Sequence, residues 1–341
     1  MTPEALAARI DAPVRVVQVR SRDGTSLTAY EAGRGRETLV LCPGLGGNLL
    51  CWKHVLEGFQ GVYRMITWDP RGTYFSAAPA DRDRIGVPNH VDDLEAVMEA
   101  LGVSRCILGG WSMGVQVAIA FVHRHPDRMP RALLLLQGHP GHLLRDVLDL
   151  PWMEPVLQTA LATLIPLSRY LQPFLGPLFR QPGMIPLLNE VGLVATRDGV
   201  FPEVLAAFSH LHFPRYLRMI DRLGRHSTED WLGEIRCPTL ITAGSRDVLT
   251  PPSVARRARE RIPGSRLVVF EGGTHYTMME MPDRMHRVLE EFLREVDPAS
   301  FAPLPSIDPS DRARRHAPRG RGSRRPPAAG QPPIAGSTGP G

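Results

Sequence analysis

One pentapeptide constrains this chain more than any other: Gly110-Trp111-Ser112-Met113-Gly114, set between an apolar run at 106–108 and a longer one at 115–121. A serine flanked at two places by glycine, between strand and helix, marks a turn so sharp that its backbone is strained. Its glycine neighbours let strand and helix close upon each other. A helix opening at Ser112-Met113 also aims N–H groups and a partial positive charge at the reacting oxygen. The pattern therefore predicts a strand–turn–helix with Ser112 as a nucleophile.

A serine hydroxyl is a weak nucleophile near neutral pH and needs a base within hydrogen-bond reach. Of the twelve histidines, His275 is best placed, in Glu271-Gly272-Gly273-Thr274-His275 directly after the last predicted strand. His123, His125 and His286 fall on or beside helices and are expected to face solvent, while His139, His142, His210 and His212 belong to an intervening helical region or its edges, where any of them could line the pocket. The base in turn needs a carboxylate on its other nitrogen. Asp247, in Gly244-Ser245-Arg246-Asp247 after the strand at 239–243, meets that need, giving the chain order Ser, Asp, His. Two N–H donors for a developing oxyanion are expected from Met113 and from Leu45 in the glycine-rich loop Pro43-Gly44-Leu45-Gly46-Gly47. That loop lacks the third glycine of a dinucleotide-binding turn. Asp69 and Arg71, after the strand at 63–68, are expected to pair with each other and pin a loop beside the site.

Around these residues, apolar strands alternate with amphipathic helices, which predicts an α/β fold: a mostly parallel sheet with helices on both faces. Strands are expected within 14–31 (two, around Asp23-Gly24), then at 38–41, 63–68, 106–108, 132–136, 239–243 and 267–270. Asn89 is expected to cap a helix carrying Val91, Leu94, Val97, Met98 and Leu101. The alternation breaks from 140 to 228, read as a helical cap of short helices, since its prolines should interrupt any long one. The core is thus assigned to 1–139 and 229–298. The cap's apolar stretches either pack it onto the core or form an acyl pocket, to which Trp111, Met113 and Gly44 would contribute.

These motifs together resemble the α/β-hydrolase-fold serine hydrolases, the broad esterase, lipase and lactonase superfamily. The resemblance is carried by the loop 42–47, Trp68-Asp69-Pro70-Arg71-Gly72 with Ser76, the elbow 110–114, Gly244-Ser245-Arg246-Asp247 with Val248-Leu249-Thr250-Pro251, and Gly272-Gly273-Thr274-His275. It implies an eight-stranded sheet, a cap between strands six and seven, and no cofactor or metal. Many relatives carry His-Gly where this chain has Pro43-Gly44; donation by the backbone survives that change. The expected reaction is cleavage of a small-molecule ester or lactone. The same three residues could also serve C–C hydrolysis, acyl transfer or perhydrolysis, and a non-catalytic binding protein on this fold remains an alternative. Dehalogenation and epoxide opening are disfavoured, because related enzymes place Asp where this chain has Ser112.

Charge adds one exclusion. Seven arginines after residue 300, against Asp308 and Asp311, equal the whole formal net charge of +5, so the body is close to neutral and offers no nucleic-acid face. The Pro-, Gly- and Arg-rich stretch 299–341 is expected to be disordered. The four cysteines are spaced singly and read as free thiols, Cys106 and Cys237 as buried ones. With no signal-peptide core and no apolar run long enough to insert in a membrane, a cytoplasmic location is expected.

Overall fold

Short runs of consecutive apolar residues become strands here because a strand covered on both faces needs no polar alternation. In the computed structural model, which describes residues 1–302 other than Pro182 and 196–198, β1 (Val14–Arg20) and β2 (Ser26–Ala32) form a hairpin. Its turn is held by Asp23, which accepts the N–H of Thr25, and by Gly24 at φ +83°. Then follow β3 (Glu37–Cys42), β4 (Tyr63–Trp68), β5 (Ile107–Trp111), β6 (Leu133–Leu136), β7 (Thr239–Gly244) and β8 (Arg266–Phe270). They lie in one eight-stranded sheet in the order β1-β2-β4-β3-β5-β6-β7-β8. The β1/β2 and β2/β4 pairs are antiparallel and the other five parallel. The order reverses at β3, and a crevice at the carboxyl ends of strands flanking such a reversal is where open α/β sheets bind ligands.

Counting helices of seven residues or more, α1 (Lys53–Phe59), α2 (Val87–Ala100) and α3 (Met113–Arg124) precede β6. Between β6 and β7 come α4 (Glu154–Phe179), α5 (Met184–Glu190), α6 (Phe201–Ala207) and α7 (Phe213–Arg225). The chain closes with α8 (Pro252–Arg261) and α9 (Pro282–Val296). The two faces of the sheet have separate cores. Leu56, Phe59, Met285 and Leu289 of α1 and α9 pack with Leu39, Leu41 and Met65 on one. Val91, Leu94, Val117, Phe121 and Ala258 of α2, α3 and α8 pack with Val40, Cys42 and Leu108 on the other. Adjacent residues of β3 thus serve opposite cores, as the pleat dictates.

Three expectations are corrected. Helix α2 starts from Gly86 with Pro88 in its first turn; Asn89 lies inside, its side chain accepting the Gly86 N–H at 3.3 Å. In the insertion, prolines do not prevent a long helix: α4 runs 26 residues through Pro166, Pro173 and Pro177. All three prolines are on the exposed side, so water can reach the carbonyls that lose an N–H partner. The ordered body also extends past 299. Residues Pro298–Phe301 form a 3-10 turn, and the Phe301 ring meets Tyr63 edge-on with centroids 6.0 Å apart. Residues Met1–Phe301 form one compact unit, the helical insertion included. The basic stretch expected to be disordered lies, from 303 on, outside the described residues. All four cysteines are free and buried. Among the described residues, no helix is long and apolar enough to cross a membrane.

Candidate active site

The elbow is built as its spacing requires. Strand β5 delivers Ser112 to the carboxyl edge of the sheet, and α3 begins at the next residue. Ser112 takes φ +56° and ψ −118°, a conformation a residue with a Cβ adopts only under strain. A Cβ on Gly110 would lie 2.2 Å from the Gly114 carbonyl oxygen, and one on Gly114 would lie 2.2 Å from that of Cys42. Both contacts are impossible, so glycine at 110 and 114 is a condition of the turn.

Ser112 Oγ lies 2.9 Å from His275 Nε2, and His275 Nδ1 lies 2.9 Å from Asp247 Oδ2. The three side chains arrive from the ends of β5, β7 and β8. Asp247 and His275 are both buried. A buried carboxylate must be satisfied by donors, and Asp247 is: Oδ1 accepts the N–H groups of Leu249 (2.9 Å) and Thr250 (2.8 Å), and Oδ2 accepts the Thr250 hydroxyl at 2.6 Å. His275 Nδ1 therefore faces Asp247 Oδ2 at 2.9 Å and, more distantly, the Thr250 hydroxyl oxygen at 3.2 Å. Within the 244–251 segment, sequence position alone does not distinguish Thr250. Its hydroxyl, three residues after the aspartate, was the available signal.

Gly44 is close enough to the nucleophile that an added Cβ would lie 3.1 Å from Ser112 Cβ and 2.6 Å from the Trp111 ring. The following turn, with Gly46 at φ +74° and Gly47 N–H donating to Gly44 O at 3.0 Å, leaves the Leu45 N–H without a partner among the described residues. The N–H of Met113, first in α3, is in the same position. The loop is fixed from behind by the Tyr74 hydroxyl, which donates to the Gly46 carbonyl, a contact the sequence did not reveal. Trp111, expected to line an acyl pocket, is instead walled in. Its indole N–H donates to the His275 carbonyl at 3.2 Å, and its ring supports Gly44 and Gly47.

A small cavity of about 10 Å³, room for roughly one water, adjoins Ser112 and is lined by Met113, Gln116, His139, Leu143, Leu223 and Thr250. His139 is fixed by the Gly141 N–H donating to Nδ1 (2.8 Å) and by Asp146 Oδ2 at 2.9 Å from Nε2. His139, Asp146 and Glu229 bring ligand-type atoms within 4.8 Å of one another. Asp146 is already engaged by Arg145 and Arg257, and Arg145 bridges it to Glu229, so the set is an ion-pair cluster rather than a metal site. The apolar residues of 148–191 are not gathered round Ser112: Trp152 and Phe174 are 67% and 73% exposed, with Tyr170, Leu187 and Val191 also facing solvent.

Asp69 and Arg71 do not pair with each other. Arg71 is fully buried and donates to both oxygens of Asp93 (2.8 and 2.5 Å) and to Asp23 (2.8 Å). Asp69 accepts the Tyr30 hydroxyl at 3.0 Å, and burial pushes its carboxyl up to about 7. The loop is still pinned, but by two separate networks: Ser76 completes the one at Asp69 by donating to Asp69 O and accepting the Thr28 N–H.

Residues 37–282 match the family model for the alpha/beta hydrolase fold. RutD of Caulobacter sp. (strain K31), named as a candidate carbamate hydrolase, is 28% identical over 259 residues, 76% of this chain and 91% of its own. An uncharacterized protein of Mycobacterium tuberculosis, Rv2715, is 26% identical over 312 residues, 85% of this chain and 86% of its own. Among solved structures, a thermophilic esterase from Thermogutta terrifontis superposes with a TM-score of 0.64 at 26% identity, covering 83% of this chain and 99% of the esterase.

Proposed function

The chain belongs to the α/β-hydrolase fold family, and on that premise we propose that it is a serine hydrolase cleaving a carboxylic ester or lactone through an acyl-enzyme on Ser112. The observation that carries the reading is the pair of 2.9 Å contacts linking Ser112, His275 and Asp247 at a strained elbow.

In this reading His275 Nε2 takes the Ser112 proton as Oγ attacks the substrate carbonyl carbon. The resulting oxyanion is held by the N–H groups of Leu45 and Met113, each donor of this kind being worth roughly 10²–10³ in rate. Collapse of the intermediate breaks the ester C–O bond, and the Nε2 proton passes to the departing alkoxide. Water then enters, gives its proton to Nε2 and attacks the acyl carbon; the second collapse returns the proton to Ser112 Oγ. Asp247 keeps the imidazole in the tautomer with Nδ1–H and stabilises the imidazolium formed twice in the cycle. Thr250 is a positioning residue for Asp247. Met113, Leu143 and Leu223 beside the nucleophile favour an apolar acyl group. The likeness to RutD supports carbamate cleavage by the same residues as a second reading.

Labelling with a fluorophosphonate probe tests the proposal. Stoichiometric modification of Ser112 in folded protein, lost in Ser112→Ala, is expected; a folded protein that stays unlabelled would sink it. Initial rates on p-nitrophenyl acetate and butyrate then test the apolar acyl group, which predicts the higher kcat/KM for butyrate.

A further inference from the structure

Away from Ser112, the amino-terminal half of α7 faces the loop after β4 across a cleft of about 310 Å³. At about 30 Å³ each, roughly ten waters would fill it. It is lined by Arg82, Arg215, Arg218 and His212, together with Ala78, Pro79, Ala80 and Ile85. Three guanidiniums therefore share one concave surface, and among the described residues none of the three has a carboxylate partner. Arg215 donates to the Gly72 carbonyl at 2.7 Å, and Arg218 donates to the Pro214 carbonyl at 3.3 Å. Neither nearby acid pairs with these three. Asp83 pairs with Arg222 at 2.9 Å, and Asp81 accepts the Asp83 N–H at 2.9 Å.

The contrast along one helix is informative. Arg222 and Arg225 of α7 each have an aspartate, whereas Arg215 and Arg218, nearer the amino terminus, have none. That end of a helix carries the positive pole of its dipole and disfavours cations. The neighbouring charges show their cost: burial first, then Arg218 and Arg82, hold the Arg215 guanidinium below its ordinary pKa. Burial and the same arginines, Arg215 foremost, lower that of His212. Nor is Arg215 a loose surface chain. It lies across Gly72, at φ +72°, where an added Cβ would come within 2.5 Å of its Cδ.

We propose that this cleft binds a phosphoryl group. Converging guanidiniums match its several oxygens and offset its charge of about −2, which a single carboxylate would not. The group could be part of a soluble phosphate ester or of a phospholipid head group.

Two arms of one experiment test the site and separate those sources. Calorimetric titration of the full chain with inorganic phosphate at low salt should show saturable one-to-one binding. Affinity should fall by about tenfold or more in Arg215→Gln/Arg218→Gln. Arg222→Gln, whose arginine is already paired, should bind as wild type. Arg82→Gln, on the exposed loop, should weaken binding even if the double variant does not fold. In the second arm the protein is sedimented with phosphatidylcholine vesicles with and without phosphatidic acid. Phosphatidic-acid-dependent pelleting that is lost in the variants identifies a head group; phosphate binding without pelleting identifies a soluble ester. Neither phosphate binding nor pelleting, or equal binding by wild type and variants, overturns the proposal.

Discussion

The strain at Ser112 makes a prediction that separates fold from chemistry. At φ +56° and ψ −118° the residue occupies backbone space that only glycine enters freely. Holding a side chain there costs on the order of 1–3 kcal/mol. Replacing Ser112 by Ala or by Gly removes the hydroxyl and its contact with His275 in both cases, so comparing the two variants isolates the Cβ. Glycine relieves the strain but loses about 0.5–1 kcal/mol more in backbone entropy on folding. The difference leaves Ser112→Gly at least as stable as Ser112→Ala, by about 0–2.5 kcal/mol, although at most other positions the order is reversed. Urea denaturation measures it, provided the two variants share the same dependence on denaturant. Both should be inactive. If the alanine variant is instead more stable by about 0.5–1 kcal/mol, as is usual at unstrained sites, the elbow is not strained, and the reason for reading Gly110-x-Ser112-x-Gly114 as a turn built for a nucleophile fails.

Further outcomes follow from the same structure. Thr250→Val removes the hydroxyl from Asp247 Oδ2; kcat should fall by about tenfold with little change in KM, as expected for losing a hydrogen bond to a charged group. Asp247→Asn should lower kcat by roughly 10⁴ while far-UV circular dichroism is unchanged. Arg71→Met leaves Asp93 buried without its cation and should destabilise the fold by about 3–5 kcal/mol in urea titration. Asp69, whose folded pKa is raised to about 7 from an ordinary 3.8, binds a proton in the folded state that the unfolded chain releases near pH 4. Its contribution therefore falls as pH rises from about 4 to about 7, and Asp69→Asn should flatten that part of the stability profile.

The inner strands of the sheet were legible in the sequence because they are buried on both faces and so read as continuous apolar runs. The run at 63–68 coincides with β4, and the glycines at 110 and 114 meet contacts that exclude any side chain. His275 and Asp247 could be placed because strand ends converge on one edge of a parallel sheet. What was not legible depends on long-range pairing. Arg71 finds Asp93 and Asp23, 22 and 48 residues away, rather than its neighbour Asp69. The Tyr74 hydroxyl reaches Gly46 across 28 residues. Helix α4 escaped because its three prolines lie on the exposed side, where water can reach the freed carbonyls and offset part of their cost. Its apolar residues suggested a pocket, yet many of them face outward, since periodicity shows that a helix has an apolar side but not which way it turns.

The central claim is that Ser112 forms a covalent acyl intermediate. Rapid acid quench of the protein mixed with p-nitrophenyl butyrate, followed by peptide mass spectrometry, tests it directly. One butyryl group on the peptide bearing Ser112, absent from Ser112→Ala, is the predicted result. Ester turnover that continues at the wild-type rate in Ser112→Ala, with no acylated Ser112 in the wild type, would contradict it.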